Sequence, residues 1–63
     1  MNTQTLSFCE GMLMHSKSVA EWNMQMASLV NVGMTVQMRA YIESTGLIVK
    51  VLGVDKGQPH ISN

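Results

Sequence analysis

The chain is 63 residues long, 46% hydrophobic and 13% charged, and Lys17, Arg39, Lys50 and Lys56 balance Glu10, Glu21, Glu43 and Asp55 to a formal net charge of zero. That length admits one domain, 1–63, and the charge balance argues against a nucleic-acid partner, whose binders carry a basic stripe. A single cysteine, Cys9, excludes an intrachain disulfide; with two distant histidines it also lacks the paired spacing of a zinc site, so no metal and no cofactor is expected.

For so small a chain, hydrophobic gain and ordering entropy come out nearly level. With disulfide and metal set aside, self-association is the remaining device, and a homodimer is expected. The uncharged stretch 22–38 is too short and too polar to cross a membrane. Residues 1–5 have no basic n-region of a secretory signal, and the lone cysteine suits a reducing compartment; the expected location is the cytoplasm.

In chain order, Ser7 with Glu10 matches a capping box and predicts a short helix over 8–15, with Phe8, Met12 and Leu13 on one face and Gly11 weakening it. A small hairpin built from 5–9 and 12–16 is the rival. A second capping box, Ser18 with Glu21, opens a clearer helix. Its stripe is Val19, Trp22, Met26, Leu29 and Val30, widened by Ala20, Met24 and Ala27, and Gly33 is its C-terminal cap.

From Met34 the period changes to two: Met34, Val36, Met38, Ala40 and Ile42 alternate with Thr35, Gln37, Arg39, Tyr41 and Glu43. That reads as a half-buried strand. Ser44, Thr45 and Gly46 supply a turn, and β-branched 47–54 supplies a second strand. The expected fold is therefore α+β, one or two N-terminal helices followed by a C-terminal antiparallel β-hairpin completed by homodimerisation. The alternative is an all-α helical hairpin, continuing through Met34, Met38, Tyr41 and Ile42 to Gly46. Residues 56–63 read as a polar tail.

Register follows from face matching. Ile42 opposite Leu47, Ala40 opposite Val49 and Met38 opposite Val51 make one face wholly apolar. The second face then pairs Tyr41 with Ile48, Arg39 with Lys50, Gln37 with Leu52 and Thr35 with Val54. It leaves Ile48, Leu52 and Val54 as the expected dimer interface. Arg39 against Lys50 is mildly repulsive, relieved by Glu43 or else offered to an anionic partner group.

Cys9, Glu10 and His15 are the one local set with nucleophile, carboxylate and imidazole. Six residues apart on a helix, Cys9 and His15 point to different sides, so Cys9 reads as a packed hydrophobe and no catalytic residue is assigned. His60 falls in the tail. Of seven methionines, Met12, Met26, Met34 and Met38 fall on core stripes and Met14 and Met24 on the outside; an adaptable methionine surface is the competing reading. Trp22 reads as a core anchor or, if exposed in the dimer, as a binding hot spot.

These features point to a non-enzymatic protein-protein interaction module. It would be a regulatory or inhibitory adaptor, of the size that phages and plasmids often encode, that occludes a partner's surface through Trp22, Arg39, Tyr41 and Lys50. The alternative is a small dimeric nucleic-acid or small-ligand binding protein.

Overall fold

The computed structural model describes residues 2–54. Residues 55–63, which hold the expected tail, His60, Lys56 and Asp55, lie outside them. Four helices follow one another: α1 (Thr3–Leu13), α2 (Val19–Asn31), α3 (Val36–Thr45) and α4 (Leu47–Leu52), with no strand among the described residues.

Helix α1 starts five residues before the position that Ser7 implied. Asn2 is its N-cap, and the Asn2 Oδ1 accepts from the Gln4 and Thr5 N–H groups at 2.9 and 3.1 Å. Two orphan donors of the first turn are thereby satisfied. Ser7 is left exposed within the helix.

Helix α2 begins where its capping box implied. Ser18 Oγ accepts from the Glu21 N–H at 3.1 Å, while the Glu21 carboxylate reaches one residue further back and accepts from the Lys17 N–H at 2.7 Å. At the other end Gly33 takes φ +117°, the Met34 N–H bonds Leu29 O at 2.9 Å and the Gly33 N–H bonds Val30 O at 3.4 Å. Those two bonds form a Schellman ending, which turns the chain and drops Met34 onto the buried Leu29.

The expected hairpin is not formed. Residues 36–45 and 47–52 are helical, so none of the strand pairings from Ile42–Leu47 to Thr35–Val54 exists and the fold is all-α rather than α+β. The alternation is ambiguous because its apolar set contains Met34, Met38 and Ile42, spaced by four, which one face of a helix also collects. Those three are buried, whereas Val36 is 84% exposed and Ala40 is also exposed.

Local bonds complete the helical choice. Thr35 Oγ1 caps α3 by accepting from the Met38 N–H at 3.1 Å. Ser44 and Thr45, expected in a turn, donate back to the Tyr41 and Ile42 carbonyls, both at 2.7 Å. Gly46, at φ +74°, closes α3 and opens α4, its carbonyl accepting from Val49 and Lys50. In α4 the pattern Leu47, Ile48, Val51, Leu52 is again a helical stripe, and it packs against the core.

That core joins Cys9 and Leu13 of α1, Trp22, Met26 and Leu29 of α2, Met34, and Met38 and Ile42 of α3. Helix α1 packs on α2, and α3 on α4. Ser16, in the α1–α2 connection, is buried with its Oγ lacking a hydrogen-bond partner. Burying a hydroxyl without a partner is costly, so Ser16→Ala is expected to stabilise the chain by about 1 kcal/mol. A urea titration would read this as a higher midpoint; an unchanged or lower midpoint would count against the unpaired hydroxyl.

Candidate interaction surface

Of the four side chains expected to touch a partner, three are accessible. Trp22 is only 4% exposed and belongs to the core. Its place in the α2 stripe, between Val19 and Met26, gives it the anchor role. Arg39 and Tyr41 lie on the exposed side of α3, and Lys50 on the exposed side of α4.

Arg39 Nε stands 3.3 Å from Glu43 Oε2, both side chains 55% exposed. The pair is an i,i+4 helical contact, and it stands in place of the Arg39–Lys50 opposition that strands would have imposed. Ile48 and Leu52 are half-buried against the chain's own core, and Val54 is half-buried after Gly53. Their joint sheet face does not exist.

The exposed hydrophobics lie elsewhere. Val36, Val32, Met24, Met14, Phe8, Val30, Val19, Tyr41 and Val49 are all substantially open to solvent. On α3, Val36 and Ala40 occupy the side opposite Met38 and Ile42, with the exposed Glu43 and Arg39 on one flank and Tyr41 further round on the other. On α2, the outer side carries Ala20, Asn23, Met24, Ala27, Val30 and Asn31, all exposed and none charged. The signal for this second surface was present in the sequence. No charged residue occurs in 22–38, and a helix in that stretch must have an uncharged outside.

Between the starts of α1 and α3 lies a cleft of about 580 Å³ lined by Asn2, Thr5, Gly33, Thr35, Gln37 and Met38. Asn2 and Thr35 already use side-chain oxygens as caps. The lining offers amides and hydroxyls but no ionisable group.

Cys9 is fully buried, and burial, assisted by the charge of Glu10, raises its thiol above the ordinary value. His15 is exposed beyond the end of α1. The thiolate is the reactive form, and this environment disfavours it. A thiol reagent at neutral pH is therefore expected to label native Cys9 well below the rate of a free thiol, with denaturant restoring that rate. Labelling of the folded chain at or above the free-thiol rate would reveal an activated cysteine. Among the described residues no three His, Cys, Asp or Glu side chains stand together as a metal site would require, and no helix is long and apolar enough to cross a membrane.

Comparisons of the chain with protein-family models, with curated proteins and with solved structures found no match. What the chain does must therefore be argued from these surfaces.

Proposed function

We propose that the chain is a small helical binding module that acts without catalysis, laying the outer face of α3 on a protein partner and occluding the surface it covers. The observation that carries this reading is Val36, 84% exposed on a capped helix, with Ala40 one turn on, the Arg39–Glu43 pair on one flank and Tyr41 exposed further round the helix. Apolar side chains bared on a helix mark a contact surface, and laying a helix into a partner's groove is a recurrent way of using one. Lys50 is exposed on α4, the next helix of the chain. The free, buried thiol suits the reducing cytoplasm.

The test is capture of partners by the tagged chain against Val36→Asp, Arg39→Ala, Tyr41→Ala and Lys50→Ala, each checked for helicity by circular dichroism. Capture lost in folded variants supports the reading; capture unchanged in all four counts against it.

A second reading, binding of nucleic acid or a small ligand, gains from the helical architecture. Helices α2 and α3 are joined by residues 32–35 around Gly33, the short glycine-containing connection of helix-turn-helix units. The cleft at the start of α3 has the volume of a small-ligand site. Against it stands the charge. Lys17, Arg39 and Lys50 are the only lysines and arginines in 2–54, and Arg39 is paired. Retention on duplex DNA or RNA should weaken with salt by a slope of about −0.9 per phosphate contacted. No salt-dependent retention would remove the nucleic-acid form of this reading.

A further inference from the structure

We propose that α3 is held to the core by an oxidisable joint, Met34 and Met38, and that a peroxide, by turning these two thioethers into sulfoxides, releases α3 together with its outer face. The helix reaches the core through few side chains. Met38 and Ile42 are its buried residues, and Met34 stands at its entry, bonded through its N–H to the Leu29 carbonyl at 2.9 Å. Two of those three anchors are methionines, whereas α1 is anchored by Cys9 and Leu13 and α2 by Trp22, Met26 and Leu29. Both residues of the joint also lie at the margin of the core. Met34 belongs to the connection beside Gly33 and is 6% exposed, and Met38 borders the cleft of about 580 Å³ between the starts of α1 and α3. Met26, by contrast, sits in the middle of α2, about a turn from both Trp22 and Leu29.

The chemistry is an oxygen transfer. The methionine sulfur attacks one oxygen of the peroxide, an S–O bond forms as the O–O bond breaks, and the proton of the transferred oxygen passes to the departing hydroxide to give water. Sulfur loses two electrons and the peroxide gains them. The product carries a polar oxygen that accepts hydrogen bonds, where the thioether packed as a flexible apolar chain. Met34 and Met38 share their core with Leu13, Leu29 and Ile42, and a polar atom buried among such groups without a donor is strongly disfavoured. Water supplies the donors once the sulfoxides leave the core, and α3 leaves with them. Released, a helix of ten residues does not sustain itself. Met14 and Met24, 62% and 65% exposed, take up oxygen without this consequence, because their sulfoxides are solvated where they form. The effect on partner binding rests on the reading of α3 as the partner face: the helix that carries Val36, Arg39 and Ala40 is the one that oxidation frees.

The experiment treats the full chain with graded hydrogen peroxide, places the added oxygens by peptide mass spectrometry and follows amide hydrogen exchange segment by segment. Met14 and Met24 are expected to oxidise first, with exchange unchanged. Oxygen on Met34 and Met38 should then bring exchange at least tenfold faster over 36–45, while 19–31 keeps its protection. A methionine sulfoxide reductase with a thiol reductant should restore the protection. The double variant Met34→Leu with Met38→Leu conserves volume and retains Cys9 and Met26, so it reports on the joint alone; it should hold α3 protected at the same dose. Each single leucine variant, a smaller perturbation, should need a higher dose than the wild type. A chain that bears both sulfoxides with α3 still protected, a double variant that loosens at the same dose, or exchange rising as much over 19–31 as over 36–45 would overturn the inference. Loosening is read without a partner, so the joint stands even where Val36→Asp leaves capture unchanged, and the partner face stands even where peroxide leaves α3 in place.

Discussion

Replacing Ile42 by alanine is expected to cost about 2–5 kcal/mol, the range for deleting a large buried aliphatic side chain. Ile42 is fully buried in the core that joins α1, α2 and α3. A chain of this length holds only about 3–9 kcal/mol in total, so the variant should lose most of its cooperative urea transition. Val36→Ala, on the opposite side of the same helix, should stay within about 0.5 kcal/mol of the parent. The pair separates the two readings of 34–42. A strand places Val36 and Ile42 on the same face, and losses of equal size would overturn the helix.

Trp22→Ala is the second large effect, expected at about 3–5 kcal/mol. The indole is nearly enclosed among Cys9, Leu13, Met26 and the other core residues, so its removal should unfold the chain rather than only silence a contact. Arg39→Ala and Tyr41→Ala, both on exposed positions, should leave the transition nearly unchanged, since an exposed i,i+4 pair contributes about 0.3–0.5 kcal/mol. Circular dichroism on the three variants decides the matter. A Trp22→Ala chain that kept full helicity and stability would return Trp22 to the surface.

The candidate surfaces were partly readable from residue types. Tyr41, Arg39 and Lys50 are exposed where their polarity put them, and Met14 and Met24 stand outside the stripes assigned to the core. The uncharged outside of α2 is not legible in the same way, because Ala20 and Ala27 widen the buried stripe as readily as they face away from it. Propensity does not distinguish an alanine facing a core from one facing solvent. The placement of Ile48 and Leu52 was missed for another reason. A β-branched, aliphatic run favours a strand by propensity, and over six residues its periodicity cannot tell a strand from a short helix.

By itself the sequence determined one helix, α2, whose ends depend on neighbours along the chain. Ser18 and Glu21 start α2, Gly33 ends it, and a single cysteine among the 63 residues cannot form a disulfide within them. Tertiary structure decided the rest. Met34, Met38 and Ile42 serve a period of two and a spacing of four alike, and the choice fell to the core that Cys9, Leu13, Trp22, Met26 and Leu29 build, which takes those three and leaves Val36 and Ala40 in water. A pattern that fits two geometries is settled by which of them can bury its apolar side chains without leaving backbone groups unpaired. Here Thr35 and Gly46 close the ends of the helix that does.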